Sequence, residues 1–135
     1  MTEMYTIVMA VDQSEARAAA EADAVCDLPR DPSEVEVTIL HDFTNNPSGA
    51  SISQVSSVRR AQDRLEEAGF TVELAETSGD PAEAIVDTAD DLDADMIVLA
   101  ARKRSPTGKV IFGSVTQAVI LDTDRPVLVC SEAVK

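Results

Sequence analysis

The stretch MIVLAARKRSPTGKVIFGSVTQA, residues 96–118, reads as an apolar strand, a basic loop and the start of a helix. Residues 96–101 are apolar without a break, as a strand covered on both sheet faces should be. Gly113-Ser114 marks the helix start, with Ser114 as N-cap and Gln117 three residues on completing a capping box. Between them Arg102, Lys103, Arg104 and Lys109 place four of the chain's eleven Lys and Arg within eight positions. A cationic loop leading to a helix N-terminus suits an anion such as phosphate, because free backbone N–H groups and the helix dipole both face it. The alternative is a solvated loop whose charges offset an acidic remainder.

Outward from this unit the same alternation repeats. Residues 5–11 form the other nearly continuous apolar strand. A helix starting near Ser14, a suitable N-cap, runs on an alanine-rich face to about Leu28, where Pro29 and Pro32 bar its continuation. Residues 35–41 (VEVTILH) are the second strand, and the Asn, Pro, Ser and Gly of residues 44–51 a loop. Residues 53–68 carry Val55, Val58, Ala61, Leu65 and Ala68 at helical spacing, with Gly69 as the stop. Residues 70–77 alternate as a half-buried strand. Asp80-Pro81-Ala82-Glu83 supplies a cap, a proline at the first helical position and an acid three residues after the cap. Ile85, Ala89 and Leu92 are expected on the inner face of that helix. Residues 126–130 close the set as a fifth strand.

Strands alternating with helices demand a mostly parallel sheet with helices on both faces, a Rossmann-like α/β architecture. The two most apolar strands belong at its centre, giving the order 3-2-1-4-5. Ligands of such sheets sit beyond the carboxyl ends of the strands where the winding reverses, here between strands 1 and 4. Val11-Asp12-Gln13 and residues 100–109 should therefore meet, with Asp12 facing the basic loop.

Bulk properties limit what this architecture can do. The 135 residues are expected to form one domain. They are 44% hydrophobic but only 3% aromatic, so Val, Ile, Leu and Ala must fill the core. The net charge of −14 argues against nucleic acid or an anionic membrane as partner, since both need a basic face. Acids spread along the chain suit a halophile's salt-rich cytoplasm, with an ordinary acidic protein as the alternative. No apolar run approaches the roughly 18 residues that span a bilayer, and the first residues lack a signal-peptide pattern, so a cytoplasmic location is expected. Cys26 and Cys130 form no C-x-x-C pair and suit buried hydrophobes in a reducing compartment. His41, the single histidine, leaves little for a His-rich metal site or a Ser-His-Asp triad and is expected to end a strand.

Several nucleotide signatures are missing. There is no G-x-x-x-x-G-K-[ST] and no G-x-G-x-x-G after the first strand. DQSEAR is not the phosphate loop of a flavodoxin, and the acidic pair of a response-regulator receiver is not present after strand 1. What remains, AVDQSE at residues 10–15, GDPAEAIVDTADDLDADMIVLAARKRS at 79–105 and GSVTQAVILDTDRPVLV at 113–129, resembles the universal stress protein family over nearly the whole chain. The resemblance implies a flavodoxin-like or Rossmann-like domain, a homodimer joined through the last strand, and a family divided into members that bind ATP and members that do not.

The ATP-binding members are similar in a loop pattern, Gly-x2-Gly-x9-Gly-Ser/Thr. Anchored on Gly113-Ser114, it places its first two glycines at Ala100 and Lys103. Alanine is the smallest intrusion on a phosphate's approach, a lysine can meet phosphate as a point charge, and Gly108 offers a turn from a shifted position. Asp12, preceded by Ala10 and Val11, matches the family's acid that accepts hydrogen bonds from the nucleoside. Asp42 falls where an aliphatic residue usually offers backbone to adenine, and adds a negative charge beside a polyanionic ligand. Asp12 can instead serve the start of the next helix with its side-chain oxygens. The resemblance thus implies a stress-response regulatory protein binding an adenine nucleotide (ATP or AMP). Gly113, Ser114 and Val115 would face its phosphates, helped by Arg102, Lys103 and Arg104. A nucleotide-free dimeric interaction module is the second reading and a slow ATPase the third. No general base is evident for the third, and Mg²⁺ would have only Asp12 or Ser114 nearby.

Overall fold

The computed structural model describes residues 4–42, 55–101, 103–104 and 110–131, with backbone alone for residues 103, 104, 110 and 111. Its elements are β1 (Tyr5–Ala10), α1 (Glu15–Cys26), β2 (Val35–Asp42), α2 (Ser56–Glu67), β3 (Thr71–Thr77), α3 (Pro81–Leu92), β4 (Met96–Ala100), β5 (Lys103–Arg104), β6 (Val110–Ile111), α4 (Ser114–Asp122) and β7 (Val127–Cys130). The main sheet has the order β3-β2-β1-β4-β7, and its four pairings are all parallel. This is the expected 3-2-1-4-5 sheet, β7 being the fifth strand.

Strand alternation assigns the two faces. Ile7, Met9, Val37, Ile39 and Val98 pack with Ala18, Ala22 and Val25 of α1 and Val58, Ala61 and Leu65 of α2. Their neighbours Val8, Leu40, Ile97 and Leu99 point the other way, onto Ala82, Ile85 and Ala89 of α3 and Val119 of α4. Side chains two residues apart share a face, so each central strand contributes to both layers.

Local chemistry sets most of the ends. Ser14 caps α1, its side chain accepting from the Arg17 N–H at 3.2 Å. Asp80 caps α3 by accepting from the Ala82 N–H at 3.3 Å, with Pro81 at the first helical position. Gly69 follows α2 with φ +100°, a conformation that costs glycine little. β1 stops one residue early at Ala10, although the Val11 N–H still reaches the Leu40 carbonyl at 2.9 Å.

Four expectations need correction. α1 ends at Cys26 rather than about Leu28, because the residue before Pro29 disfavours helical backbone. Leu92 is 41% exposed instead of lining the inner face of α3: Asp93 turns left-handed at φ 49°, and Ala94 takes the buried place. Ser114 is not the N-cap of α4. Gly113 is, with no side-chain cap, while the Gln117 side chain donates to the Phe112 carbonyl at 3.1 Å. Finally, the segment expected to be only a loop contains the antiparallel β5–β6 ladder, Lys103 opposite Ile111 and Arg104 opposite Val110. The expected loop at 44–51 lies outside the described residues. Among the described residues no helix is long and apolar enough to cross a membrane.

Candidate functional site

A cleft of about 590 Å³ opens at the carboxyl ends of β1 and β4, where the sheet changes winding direction. Of the residues singled out from the sequence, Ala10, Val11, Asp12, Asp42, Ala100, Gly113 and Val115 all line it. Ser114 does not; Thr116 stands on the wall instead. Arg102 and Gly108 lie outside the described residues, as do the side chains of Lys103 and Arg104.

The β1 end is fastened from three sides. His41 on β2, buried at 3% exposure, donates from Nδ1 to the Val11 carbonyl at 2.7 Å. Ser57 at the start of α2 donates its hydroxyl to the Asp12 carbonyl. Asp12 then turns its carboxylate back on α1: Oδ1 accepts from the Ser14 N–H at 2.8 Å, and Oδ2 from Arg17 Nε at 2.8 Å. The Asp12 side chain is nevertheless 52% exposed, so this ion pair is weakly held. Asp12 thus serves the helix start and faces the cleft at once.

Across the cleft, α4 begins at an uncapped Gly113. Thr116 ties that first turn to the end of β4 by donating its hydroxyl to the Ala100 carbonyl at 3.3 Å. The opening N–H groups of a helix lack internal partners and carry the positive end of the dipole. The cleft is therefore lined by both a carboxylate and a donor-rich helix start.

Arg17, Glu21, His41 and Thr116 also line this cleft and were not anticipated as site residues. Glu21 had a readable signal. Ala18, Glu21, Ala22 and Val25 are the buried residues of α1, so an acid occupies one place in an i, i+3, i+4, i+7 stripe. Burial pushes the Glu21 carboxyl well above the ordinary carboxylate range, the Asp12 charge adding to the shift and Arg17 opposing it. Burial likewise pushes the Cys130 thiol up to about 12, with the Glu21 charge adding to it, which keeps that thiol protonated and unreactive. The sequence offers no comparable signal for Arg17, which reaches Asp12 across the turn into α1. Among the described residues no group of three or more His, Cys, Asp or Glu could hold a metal ion.

Comparison with known proteins follows from this geometry. The model of the universal stress protein family matches residues 4–131. A universal stress protein of Mycolicibacterium smegmatis is 31% identical over 80 residues, 58% of this chain and 62% of that protein. The chain's matches span less than two thirds of such curated relatives. The structure of the universal stress protein from Archaeoglobus fulgidus in complex with dAMP superposes with a TM-score of 0.71 at 27% identity, covering 96% of this chain and 99% of that one. A universal stress protein in complex with cAMP superposes at 0.73 with 25% identity, covering 98% and 100%.

Proposed function

This chain belongs to the universal stress protein family, and we propose that it is a cytoplasmic regulatory protein that binds an adenine nucleotide, ATP or AMP, in the β1/β4 cleft. The observation that carries this reading is that Asp12 and the start of α4, which has no side-chain cap, line one cavity. Similar proteins in complex with dAMP and cAMP support the same ligand class. Asp12 would accept from the nucleoside hydroxyls, exchanging Arg17 for the ligand at little cost. The N–H groups of Gly113 and Val115 would meet phosphate, with Arg102, Lys103 and Arg104 adding charge. Mg²⁺ accompanying ATP would be held mainly by phosphate oxygens, since the described residues include no cluster of ligands for it. No residue is given a catalytic role.

Thermal melting with and without millimolar AMP or ATP, in the protein's preferred salt, tests this directly. A ligand at 100 times its dissociation constant adds about 2.7 kcal/mol. Asp12→Ala should abolish the shift, while Lys103→Gly should preserve or strengthen it. A wild-type melting temperature that ignores both nucleotides refutes the reading.

The second reading, a nucleotide-free dimeric interaction module, is favoured by one observation: both Asp12 oxygens already have partners within the chain. In either reading the short apolar edge strand β7 would pair with its copy to form a homodimer. A monomer mass by light scattering at micromolar concentration refutes that assembly.

A further inference from the structure

Glu21 stands in the apolar stripe of α1 at 1% exposure, and its Oε2 has no hydrogen-bond partner. The same residue lines the cleft that holds Asp12. Charged and titratable neighbours face it from three elements: Asp12 from the end of β1, Arg17 one turn earlier on α1, and Cys130 from β7. The Arg17 Nε is committed to Asp12. Three carboxyl groups therefore line the cleft, those of Asp12, Asp42 and Glu21, and two of them stand in unlike surroundings: Asp12 is half-exposed and ion-paired, Glu21 desolvated and short of a partner. Groups so placed take different protonation states and different roles toward one ligand. An unpaired buried polar atom destabilises the empty protein, and a ligand atom reaching it recovers that loss on binding.

We propose that Glu21 is a specificity-determining residue of this cleft, its buried carboxyl hydrogen-bonding a phosphoryl oxygen of the bound nucleotide while the Asp12 carboxylate accepts from the nucleoside. This rests on the adenine-nucleotide reading of the site. It follows that the cleft discriminates AMP from adenosine through Glu21, and that binding is linked to a proton. Ionised Glu21 would set a second negative charge against the phosphate, so affinity for AMP falls as pH rises through its ionisation.

Calorimetric titration of AMP and of adenosine into wild type, Glu21→Gln and Glu21→Leu, at about pH 6 and about pH 9, tests it. Glu21→Leu, which fills an apolar stripe with an apolar residue, should weaken AMP about tenfold and adenosine less than about threefold. Glu21→Gln keeps a donor and should hold AMP within about threefold of wild type at the lower pH. The nucleotide's own phosphate titrates in this range, so the glutamine variant is the reference for pH, and only wild type should show the additional loss at high pH. Equal weakening of both ligands by leucine, no weakening of either, or matching pH profiles for wild type and Glu21→Gln overturns the role of Glu21. Wild type binding neither ligand overturns the nucleotide reading and this inference together; wild type binding AMP with both variants unchanged overturns this inference alone.

Discussion

The two faces of the sheet are built differently. Beneath α1 and α2, fifteen buried residues among those described form one cluster, including the large side chains Ile7, Met9, Ile39 and Leu65. Beneath α3 and α4 the corresponding cluster among the described residues has nine members, three of them alanines. That second face also leaves apolar surface in solvent: Leu121 is 84% exposed, with Ile120 and Phe112 about two-fifths exposed. The thicker face carries the residues that fasten Asp12, namely Arg17 on α1 and Ser57 on α2. The thinner face supplies the uncapped helix start opposite. A rigid platform thus presents the carboxylate, and a lighter layer presents the donors across from it.

Core truncation should break this contrast most severely. Leu65→Ala, fully buried on the thick face, should cost roughly 3–4 kcal/mol, since tight surroundings collapse poorly around the cavity. Ile85→Ala on the thin face should cost nearer to about 2 kcal/mol, because Ile85 already borders the open cleft and water can enter. Urea denaturation measures both, and a larger loss at Ile85 would reverse the assignment of platform and cover.

A smaller effect sharpens the picture from inside the thick face. In the unfolded chain Glu21 ionises in the ordinary carboxylate range, whereas in the folded chain burial holds it protonated to higher pH. The folded state then binds more protons, so stability is full below the ordinary value and declines as pH rises through the raised one. Glu21→Gln lacks this decline. Its melting temperature relative to wild type should therefore climb as pH rises above the ordinary carboxylate range. A flat or falling difference would show Glu21 already ionised in the fold.

The smallest change belongs to the outer side of the thin face. Leu121→Lys removes an exposed side chain that supports no core and should shift monomer stability by no more than about 0.5 kcal/mol. A loss several times larger in denaturation experiments would mean that this leucine is covered in solution, and the two faces would then be less unequal than they stand in one chain.

Much of this organisation was legible from spacing alone. Two continuous or nearly continuous apolar runs, residues 96–101 and 5–11, were expected at the sheet centre, and β4 and β1 are there. Ser14, Asp80 and Gly69 act within a few residues of themselves, and each does what its side chain, or lack of one, dictates. Ser114 failed as a cap even though S-x-x-Q is a common start, because Gly113 already had the extended backbone that a cap requires and Gln117 turned to Phe112. Leu92, the last residue of α3, stays exposed because Asp93 turns left-handed directly after it and Ala94 takes the buried place.

For this protein, then, hydrophobic periodicity and turn chemistry were enough to determine the strand order and the place of the cleft beyond β1 and β4. Those properties depend on neighbours along the chain and on the handedness of the connections. Tertiary structure alone decided that Arg17 closes on Asp12, that His41 secures the end of β1, and that one oxygen of Glu21 is left without a partner. A side chain's partner and its exposure to water are set by which helix covers which strand, and that is settled only when the whole sheet is assembled.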